Sequence, residues 1–281
     1  MNKTYKVTFS DRYTFVQNGA RRVPLIHRNK IMARVIVINS GKGGVGKTTT
    51  AINLGTSLNR LGKEVIIIDA NLNTPNVGLQ LGAPIVPVTL NHVLKGKADI
   101  EDAIYEHHSG TKIIPSSLSI KELTKFNTKK IPEIIESLRD SCDYVIIDSA
   151  AGFGEEVIAV LGVADEVVIV TNPEMPTVTD ALKAVKVARE MGKEVNGVIV
   201  TRHVNAKYEM PLSSIRSMLE TQIIGVIPED KAVKEALNMR DAVVHTHPRS
   251  RVSRKYLEIA RKVNGDEVEE VRSFLGRIFG R

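Results

Sequence analysis

The stretch of sequence that decides the fold is residues 41–49, Gly-Lys-Gly-Gly-Val-Gly-Lys-Thr-Thr. It fits the phosphate-binding pattern G-x-x-x-x-G-K-[ST], whose fixed positions are filled here by Gly41, Gly46, Lys47 and Thr48. Glycines let successive backbone N–H groups point inward around an anion, and the lysine and the hydroxyl complete a site for a polyphosphate. The stretch therefore predicts that the chain binds ATP together with Mg²⁺.

The residues on either side supply the structural context that this loop needs. Residues 35–38 form a short β-branched run that predicts a buried strand, and residues 48–61 have apolar side chains at helical spacing. A helix that begins at the loop presents free N–H groups and its positive dipole end to the phosphates. Lys47 is expected to reach the β- and γ-phosphates and Thr48 to bind Mg²⁺. The predicted nucleotide-binding residues of the loop are Gly41, Lys42, Gly43, Gly44, Val45, Gly46, Lys47, Thr48 and Thr49.

From Met32 onward, apolar strands alternate with amphipathic helices. This alternation predicts an α/β fold with a doubly wound, mostly parallel sheet and helices on both faces. The predicted strands are residues 35–38, 65–68, 113–115, 144–147, 167–170, 195–200 and 223–227. We divide the chain into three predicted parts: a basic N-terminal extension, the ATPase domain and a C-terminal amphipathic helix, at residues 1–31, 32–264 and 265–281.

Two aspartates follow predicted strands, at the edge of the sheet where such folds bind ligands. Asp69 follows the second strand, and Asp148 closes the apolar run of the fourth in the manner of a Walker B carboxylate. We expect both to hold Mg²⁺ together with Thr48. The alternative for Asp69 is that it only begins a turn, as aspartates at strand ends often do.

The loop also contains a second lysine, Lys42, which the general phosphate-binding pattern does not require. With it, residues 41–49 resemble the deviant Walker A motif of the ParA/MinD ATPase superfamily, of archaeal or bacterial type. In that family the extra lysine reaches across a nucleotide-sandwich dimer to the partner's phosphates, so the resemblance implies an ATP-bound homodimer. Residues 164–174 resemble MinD more closely than ParA. The resemblance implies ATP hydrolysis, with catalytic residues Lys42, Lys47, Asn71 and Asp148.

Asn71 departs from the family pattern. Relatives place at this position an aspartate that is associated with the attacking water. An amide can orient water through hydrogen bonds but cannot accept its proton, so we expect slow hydrolysis.

The resemblance places the adenine end of the nucleotide at two strand ends. Relatives contact the base from a strand-to-helix loop that corresponds to Pro228 and Glu229. MinD-like chains often have Asn-Arg where this chain has Thr201 and Arg202. A threonine lacks the paired donor and acceptor of an amide, which weakens the prediction of base specificity. No aromatic stacking partner is evident nearby.

The C-terminal segment resembles the membrane-targeting helix of MinD proteins. On a helix, one face would carry apolar side chains that we expect to enter the headgroup region of a membrane with anionic lipids. These residues are Val271, Phe274, Leu275, Ile278 and Phe279. The alternative is a terminal helix that packs against its own domain. The resemblance implies a cytoplasmic protein that attaches reversibly to the inner face of the cell membrane and acts in spatial positioning, such as division-site placement or cell polarity. An activating or cargo protein is expected, but the sequence does not identify it.

The basic charge is concentrated in residues 1–31, which have a net charge of +6 out of +7 for the whole chain. This leader is interpreted as an accessory hairpin, a basic contact segment or residues upstream of the true start. No signal peptide and no apolar run of 18 residues is present, which predicts a chain that neither spans a membrane nor is exported. A ParA-like ATPase that partitions DNA is the alternative function, with nucleic acid as a less favoured partner. It would use the leader and the basic run at residues 249–255.

Other residues are less informative. The single cysteine, Cys142, argues against an iron–sulfur carrier, which would need cysteine pairs. A metabolic kinase would leave Lys42 and the C-terminal helix without a role. The pair His107–His108 and the pair His245 and His247 lack further ligands at a recognised metal-site spacing, so metal binding there is disfavoured.

Overall fold

The structure is a computed structural model, and it describes residues 20–24, 32–122 and 127–266. The apolar residues of the predicted membrane helix, from Val271 to Phe279, lie outside these ranges. So do the two strands that an N-terminal hairpin would use, at residues 5–9 and 13–16.

One sheet of nine strands organises the described residues, and all seven predicted strands are present in it. The strands are β1 (Ala20–Arg22), β2 (Arg34–Asn39), β3 (Val65–Ala70), β4 (Tyr105–His107), β5 (Lys112–Ile114), β6 (Tyr144–Ser149), β7 (Glu166–Thr171), β8 (Glu194–His203) and β9 (Ile223–Pro228). Their order across the sheet is β1-β4-β5-β3-β6-β2-β7-β8-β9. Across the sheet from β5 to β9, all neighbouring strands are parallel. Strand β4 is antiparallel to both of its neighbours, β1 and β5.

Helices cover both faces of this sheet. They are α1 (Lys47–Arg60), α2 (Val77–Gln80), α3 (Leu90–Leu94), α4 (Ile131–Glu136), α5 (Glu155–Val163), α6 (Met175–Glu190), α7 (Leu212–Leu219), α8 (Lys231–Asn238), α9 (Val243–Thr246) and α10 (Arg251–Asn264). Single 3₁₀ turns lie at Ile100–Ala103, Ile120–Glu122, Thr128–Lys130 and Arg139–Ser141.

The core has two layers because side chains alternate along each strand. In β2, Val35 and Val37 pack with α3 to α7, while Ile36 and Ile38 pack with α1 and α8 to α10. The central strands are buried on both faces, which explains why they appear in the sequence as continuous apolar runs rather than as alternating ones. The expected doubly wound α/β fold is therefore confirmed.

The two additional strands place part of the basic leader in the sheet. Strand β1 pairs with β4 so that Ala20 lies opposite His107. An ion pair between Arg21 Nη2 and Glu106 Oε1 at 2.9 Å supports the pairing. Neither strand was predicted from the sequence, because three residues are too few for hydrophobic periodicity to be visible.

None of the helices in the described ranges combines the length and the apolar content that crossing a bilayer requires.

Candidate active site

The glycine loop connects the end of β2 to the beginning of α1, as predicted. Gly44 and Gly46 have φ angles of 79° and 97°, a backbone region that favours glycine. Gly41 is required for a different reason: a Cβ at this position would lie 2.1 Å from the Asp180 carbonyl oxygen in α6. The loop is therefore shaped by backbone conformation at two glycines and by close helix packing at a third.

Lys47 lies on the first turn of α1 and is buried. Its Nζ donates a hydrogen bond to Ser40 Oγ at 3.0 Å, and Ser40 Oγ donates to the Lys42 carbonyl at 2.7 Å. Burial lowers the pKa of Lys47, and the nearby Asp148 carboxylate opposes this shift. A buried ammonium group at the base of the loop is suited to an anionic ligand, because phosphate oxygens would replace the water that the lysine has lost.

Thr48 and Asp148 meet directly. Thr48 Oγ1 donates a hydrogen bond to Asp148 Oδ2 at 2.6 Å. The second carboxylate oxygen, Asp148 Oδ1, is buried and has no hydrogen-bond partner among the described residues. Burial raises the pKa of Asp148 to about 6, although the Thr48 hydrogen bond and Lys47 act in the opposite direction. The unpartnered oxygen is what a hard cation such as Mg²⁺ would satisfy.

Asp69 lies beside Asp148, because the two residues are in register on the adjacent strands β3 and β6. Its carboxylate accepts hydrogen bonds from the N–H groups of Asn76 and Val77 at 2.9 Å and of Asn71 at 3.2 Å. Burial, together with Asp148, raises its pKa well above the usual value, against these three bonds. Asp69 thus organises the turn that leads into α2, which was the alternative reading of this residue. Its predicted role at Mg²⁺ remains a prediction.

Thr48, Asp69 and Asp148 together offer the oxygen donors that Mg²⁺ prefers, and they do so next to the glycine loop. The donor chemistry of this arrangement therefore suits a Mg²⁺ ion bound with nucleotide, and the roles of the individual side chains stay predictions.

Asn71 makes its side-chain hydrogen bonds to Thr74. Its Nδ2 donates to the Thr74 carbonyl at 2.7 Å, and its Oδ1 accepts from Thr74 Oγ1 at 3.0 Å and from the Thr74 N–H at 3.3 Å. In this conformation the amide stabilises a tight turn after β3.

The predicted base-binding residues converge on one cavity of about 330 Å³. Thr201, Arg202, Pro228 and Glu229 all line it, at the carboxyl ends of β8 and β9. The Thr201 hydroxyl already has a partner within the protein, because its Oγ1 donates a hydrogen bond to the Val45 carbonyl at 2.6 Å. The hydroxyl therefore holds the glycine loop against β8.

Tyr256 lines the same cavity from α10, although the sequence did not identify it as a site residue. Its ring is 1% exposed, and its hydroxyl lies 3.2 Å from Thr50 Oγ1 on α1. Burial raises the pKa of Tyr256 to about 12. Helical periodicity in α10 could have identified a buried tyrosine, but its contact with Thr50 spans 206 positions of sequence.

Comparisons with known proteins show the family of the chain. Residues 33–201 match the AAA domain family. The septum site-determining protein MinD of Thermotoga maritima is 34% identical over 87% of this chain and 93% of its own length. The chain belongs to the MinD/ParA family of P-loop ATPases. An uncharacterised ATP-binding protein of Methanocaldococcus jannaschii is 37% identical over 89% of this chain and 98% of its own length.

A solved structure in this family contains a bound nucleotide. MinD of Pyrococcus horikoshii complexed with Mg-ADP is 32% identical, with a TM-score of 0.80 over 83% of this chain and 96% of its own. It supports the use of nucleotide and Mg²⁺ in the family.

Residues 132–273 also match the NifH/frxC family of 4Fe-4S iron sulfur cluster binding proteins. This MinD/ParA-family chain has one cysteine, Cys142, which is buried and whose thiol pKa burial raises to about 12. A cysteine-bound cluster needs several reactive thiolates, so we interpret the match as a similarity of fold.

Proposed function

We propose that this MinD/ParA-family ATPase is a slow, ATP-controlled switch that dimerises and attaches reversibly to the cytoplasmic face of the cell membrane. The observation that carries the proposal is that the glycine loop region contains two lysines that differ in exposure. Lys47 is buried beside Asp148, while Lys42 is exposed. One lysine is thus available to this chain's own phosphates, and the other is accessible to a second molecule.

Within one subunit, the roles follow from charge and position. Lys47 and the N–H groups of the loop would bind the phosphates, and Thr48, Asp69 and Asp148 would hold Mg²⁺. The ion would neutralise charge that develops on the transferred phosphoryl group. Thr201, Arg202, Pro228 and Glu229 would enclose the base end. Asn71 cannot accept a proton from water and is bonded to Thr74, so we propose that hydrolysis is slow.

The output of the switch would be membrane attachment through residues 265–281. One short amphipathic helix gives weak, reversible binding, whereas a dimer presents two helices, the second at a high effective concentration. ATP binding would therefore recruit the protein, and hydrolysis would release it. The name of the Thermotoga relative, septum site-determining protein, supports a role in spatial positioning such as division-site placement or cell polarity.

A sedimentation assay would test this function. The full chain is mixed with vesicles that contain anionic lipids, in ATP or in ADP, and in parallel with duplex DNA. We expect ATP-dependent sedimentation with vesicles, and we expect a variant without residues 274–281 to lose it while still binding nucleotide. Sedimentation that persists without this segment would assign attachment to the basic leader instead.

The same assay distinguishes the alternative function. Binding to duplex DNA, with an affinity that falls steeply with salt, would favour a ParA-like partitioning ATPase. The basic side chains of Arg251, Arg254 and Lys255 line a shallow cavity of about 480 Å³ at the beginning of α10. If DNA is the partner, replacing Arg251 and Arg254 with glutamine should weaken DNA binding. If the membrane is the partner, the same replacement should leave vesicle binding unchanged.

A further inference from the structure

Three histidines and one aspartate converge at the end of α1 that is remote from the glycine loop. His107 and His108 lie at the turn after β4, whereas Asp241 and His245 come from the segment that joins α8 to α9 and from α9 itself. Both segments contact the last turn of α1: Asn59 Nδ2 donates a hydrogen bond to the Gly110 carbonyl at 3.4 Å, and Arg60 Nη1 donates one to the Val244 carbonyl. Helix α1 has 14 residues, so the cluster is about 20 Å from the phosphate site.

Asp241 is the centre of the cluster. His108 Nε2 lies 2.9 Å from Asp241 Oδ2, and His245 Nδ1 lies 2.5 Å from the same oxygen. His107 Nδ1 is 3.8 Å from Asp241 Oδ1. The carboxylate is fixed in place, because Oδ1 also accepts a hydrogen bond from the Ala242 N–H at 2.6 Å. The candidate ligand atoms of His107, His108 and Asp241 all lie within 4.8 Å of one another.

Burial makes this arrangement unusual. The side chain of His107 is fully buried and that of Asp241 is 5% exposed. His107 Nε2 is buried and makes no hydrogen bond of normal geometry with any described residue. The Arg240 backbone acts on the ring in the direction that raises the pKa of His107. A buried polar atom without a partner is unfavourable, so a ligand that supplied one would stabilise the fold.

We propose that His107, His108, Asp241 and His245 form a binding site for a divalent transition metal ion of the zinc type. Three imidazoles and one carboxylate make the four nitrogen and oxygen ligands that such an ion takes in tetrahedral geometry. Ligand atoms around zinc lie roughly 3.4 Å apart. The three histidine nitrogens lie 2.9, 2.5 and 3.8 Å from the Asp241 oxygens, on either side of that value.

The bound ion would cross-link two segments that are more than 130 residues apart in the sequence. It would join the turn between β4 and β5 to the residues that directly follow α8. Helix α8 contributes Val233, Lys234 and Leu237 to the base cavity, so the ion would also restrain one wall of that cavity. The proposal does not depend on the proposed function, since none of its four residues takes part in the predicted phosphate or Mg²⁺ site.

Cobalt(II) titration would test this site. The full chain is treated with a chelator and titrated with Co²⁺ in excess Mg²⁺, which occupies oxygen-rich sites. We expect an intense visible absorption band typical of tetrahedral cobalt, with one ion per chain, and its loss on addition of Zn²⁺. We also expect Zn²⁺ to raise the Tm of the protein, because the ion binds only the folded chain.

Matched variants decide whether these residues are the ligands. The His108→Gln/His245→Gln double variant replaces two partly exposed side chains and should weaken Co²⁺ binding by at least about tenfold. His247→Gln is the control, because His247 Nε2 pairs with Glu235 at 3.2 Å outside the cluster. Fluorescent-nucleotide binding would verify that each variant is folded. If the double variant fails this check, the single His245→Gln variant replaces it.

Two outcomes would overturn the proposal. One is the absence of a tetrahedral band in the wild-type protein. The other is a band of equal intensity and affinity in the folded double variant, which would place the ion elsewhere in the chain. Neither outcome would bear on ATP binding, so failure here is distinguishable from failure of the proposed function.

Discussion

Asn71 is the residue that we propose limits hydrolysis, and its side chain is hydrogen-bonded to Thr74. Replacing Asn71 with aspartate would introduce a proton acceptor while preserving the shape and the acceptor oxygen that Thr74 uses. We expect Asn71→Asp to raise the steady-state rate of phosphate release by about tenfold. This is less than the roughly 10²–10⁴ that a general base usually supplies, because phosphoryl transfer depends mainly on positioning.

The control for this variant is Asn71→Ala, which removes the bonds to Thr74 without supplying a base. It should not raise the rate. Equal rates in the wild-type protein and in Asn71→Asp would show that position 71 does not limit hydrolysis.

Two glycines of the loop offer a matched test of why glycine is needed. A Cβ on Gly41 would lie 2.1 Å from the Asp180 carbonyl oxygen, whereas a Cβ on Gly43 would meet nothing within 4 Å. We expect Gly41→Ala to reduce the free energy of unfolding by about 1–3 kcal/mol, since the clash is with backbone. Gly43→Ala should leave it within about 0.5 kcal/mol of wild type.

Urea denaturation without nucleotide measures this difference, so that any effect on phosphate binding is kept separate. Equal losses in the two variants would contradict the packing argument and would point to loop flexibility as the common cause.

The predictability of the site from sequence depends on how far apart its residues are along the chain. Lys47 and Thr48 belong to one short motif, and Asp148 closes an apolar run, so each could be identified locally. Tyr256 and the histidine cluster could not, because their contacts join distant segments that only the folded topology brings together.

At the level of elements, Asp165, which directly precedes β7, connects it by hydrogen bonds to β2 and to the 3₁₀ turn at Arg139–Ser141. Its Oδ2 accepts hydrogen bonds from the Val35 N–H of β2 at 2.8 Å and from Arg139 Nη1 at 2.7 Å. Partial burial alone would raise its pKa, but the bonds from Arg139 and Val35 hold the pKa of Asp165 below its usual value.

We expect Asp165→Ala to reduce the free energy of unfolding by about 1–2 kcal/mol at pH 7, a modest value because the carboxylate is partly exposed to solvent. Asp165→Asn should cost less, since its amide oxygen can still accept the Val35 N–H.

The pH dependence has a defined sign. A carboxylate whose pKa is lowered on folding contributes stability that is fully present above its unfolded pKa, about 4, and is lost as the pH falls through the folded value. The difference between the wild-type protein and Asp165→Ala should therefore shrink below pH 4. Urea denaturation at pH 7 and pH 3 measures it. A difference that is independent of pH would mean that packing, rather than charge, is the source of the effect.

The strands show what hydrophobic patterns do and do not reveal. Strands β3 and β6 were predictable because six buried residues in a row stand out in the sequence. Strand β1 was not, because it contains two arginines among three residues and is stabilised by its neighbour β4 rather than by its own composition.

For the whole molecule, the position of the end of α10 determines where the C-terminal segment begins relative to the nucleotide site. Tyr144 donates a hydrogen bond to Asn264 Oδ1 at 3.0 Å, and Arg34 Nη1 donates to the Val263 carbonyl at 2.7 Å. Tyr144 and Arg34 are the first residues of β6 and β2, so α10 ends at the amino edge of the sheet. The glycine loop lies at the opposite, carboxyl edge. The segment that follows α10 thus begins away from the nucleotide site, which is why its removal should leave nucleotide binding intact.

The two lysines of the loop should separate nucleotide binding from assembly. Lys47 is buried beside Asp148, so Lys47→Ala should abolish nucleotide binding itself. Lys42 is exposed, so Lys42→Ala should bind a fluorescent ATP analogue with nearly wild-type affinity. It should nevertheless remain a monomer in light scattering with non-hydrolysable ATP, whereas we expect the wild-type chain to form a dimer. Vesicle binding should then fall by at least about tenfold, because a single helix lacks the avidity of two. A Lys42→Ala protein that still dimerised would remove the link between this lysine and membrane attachment.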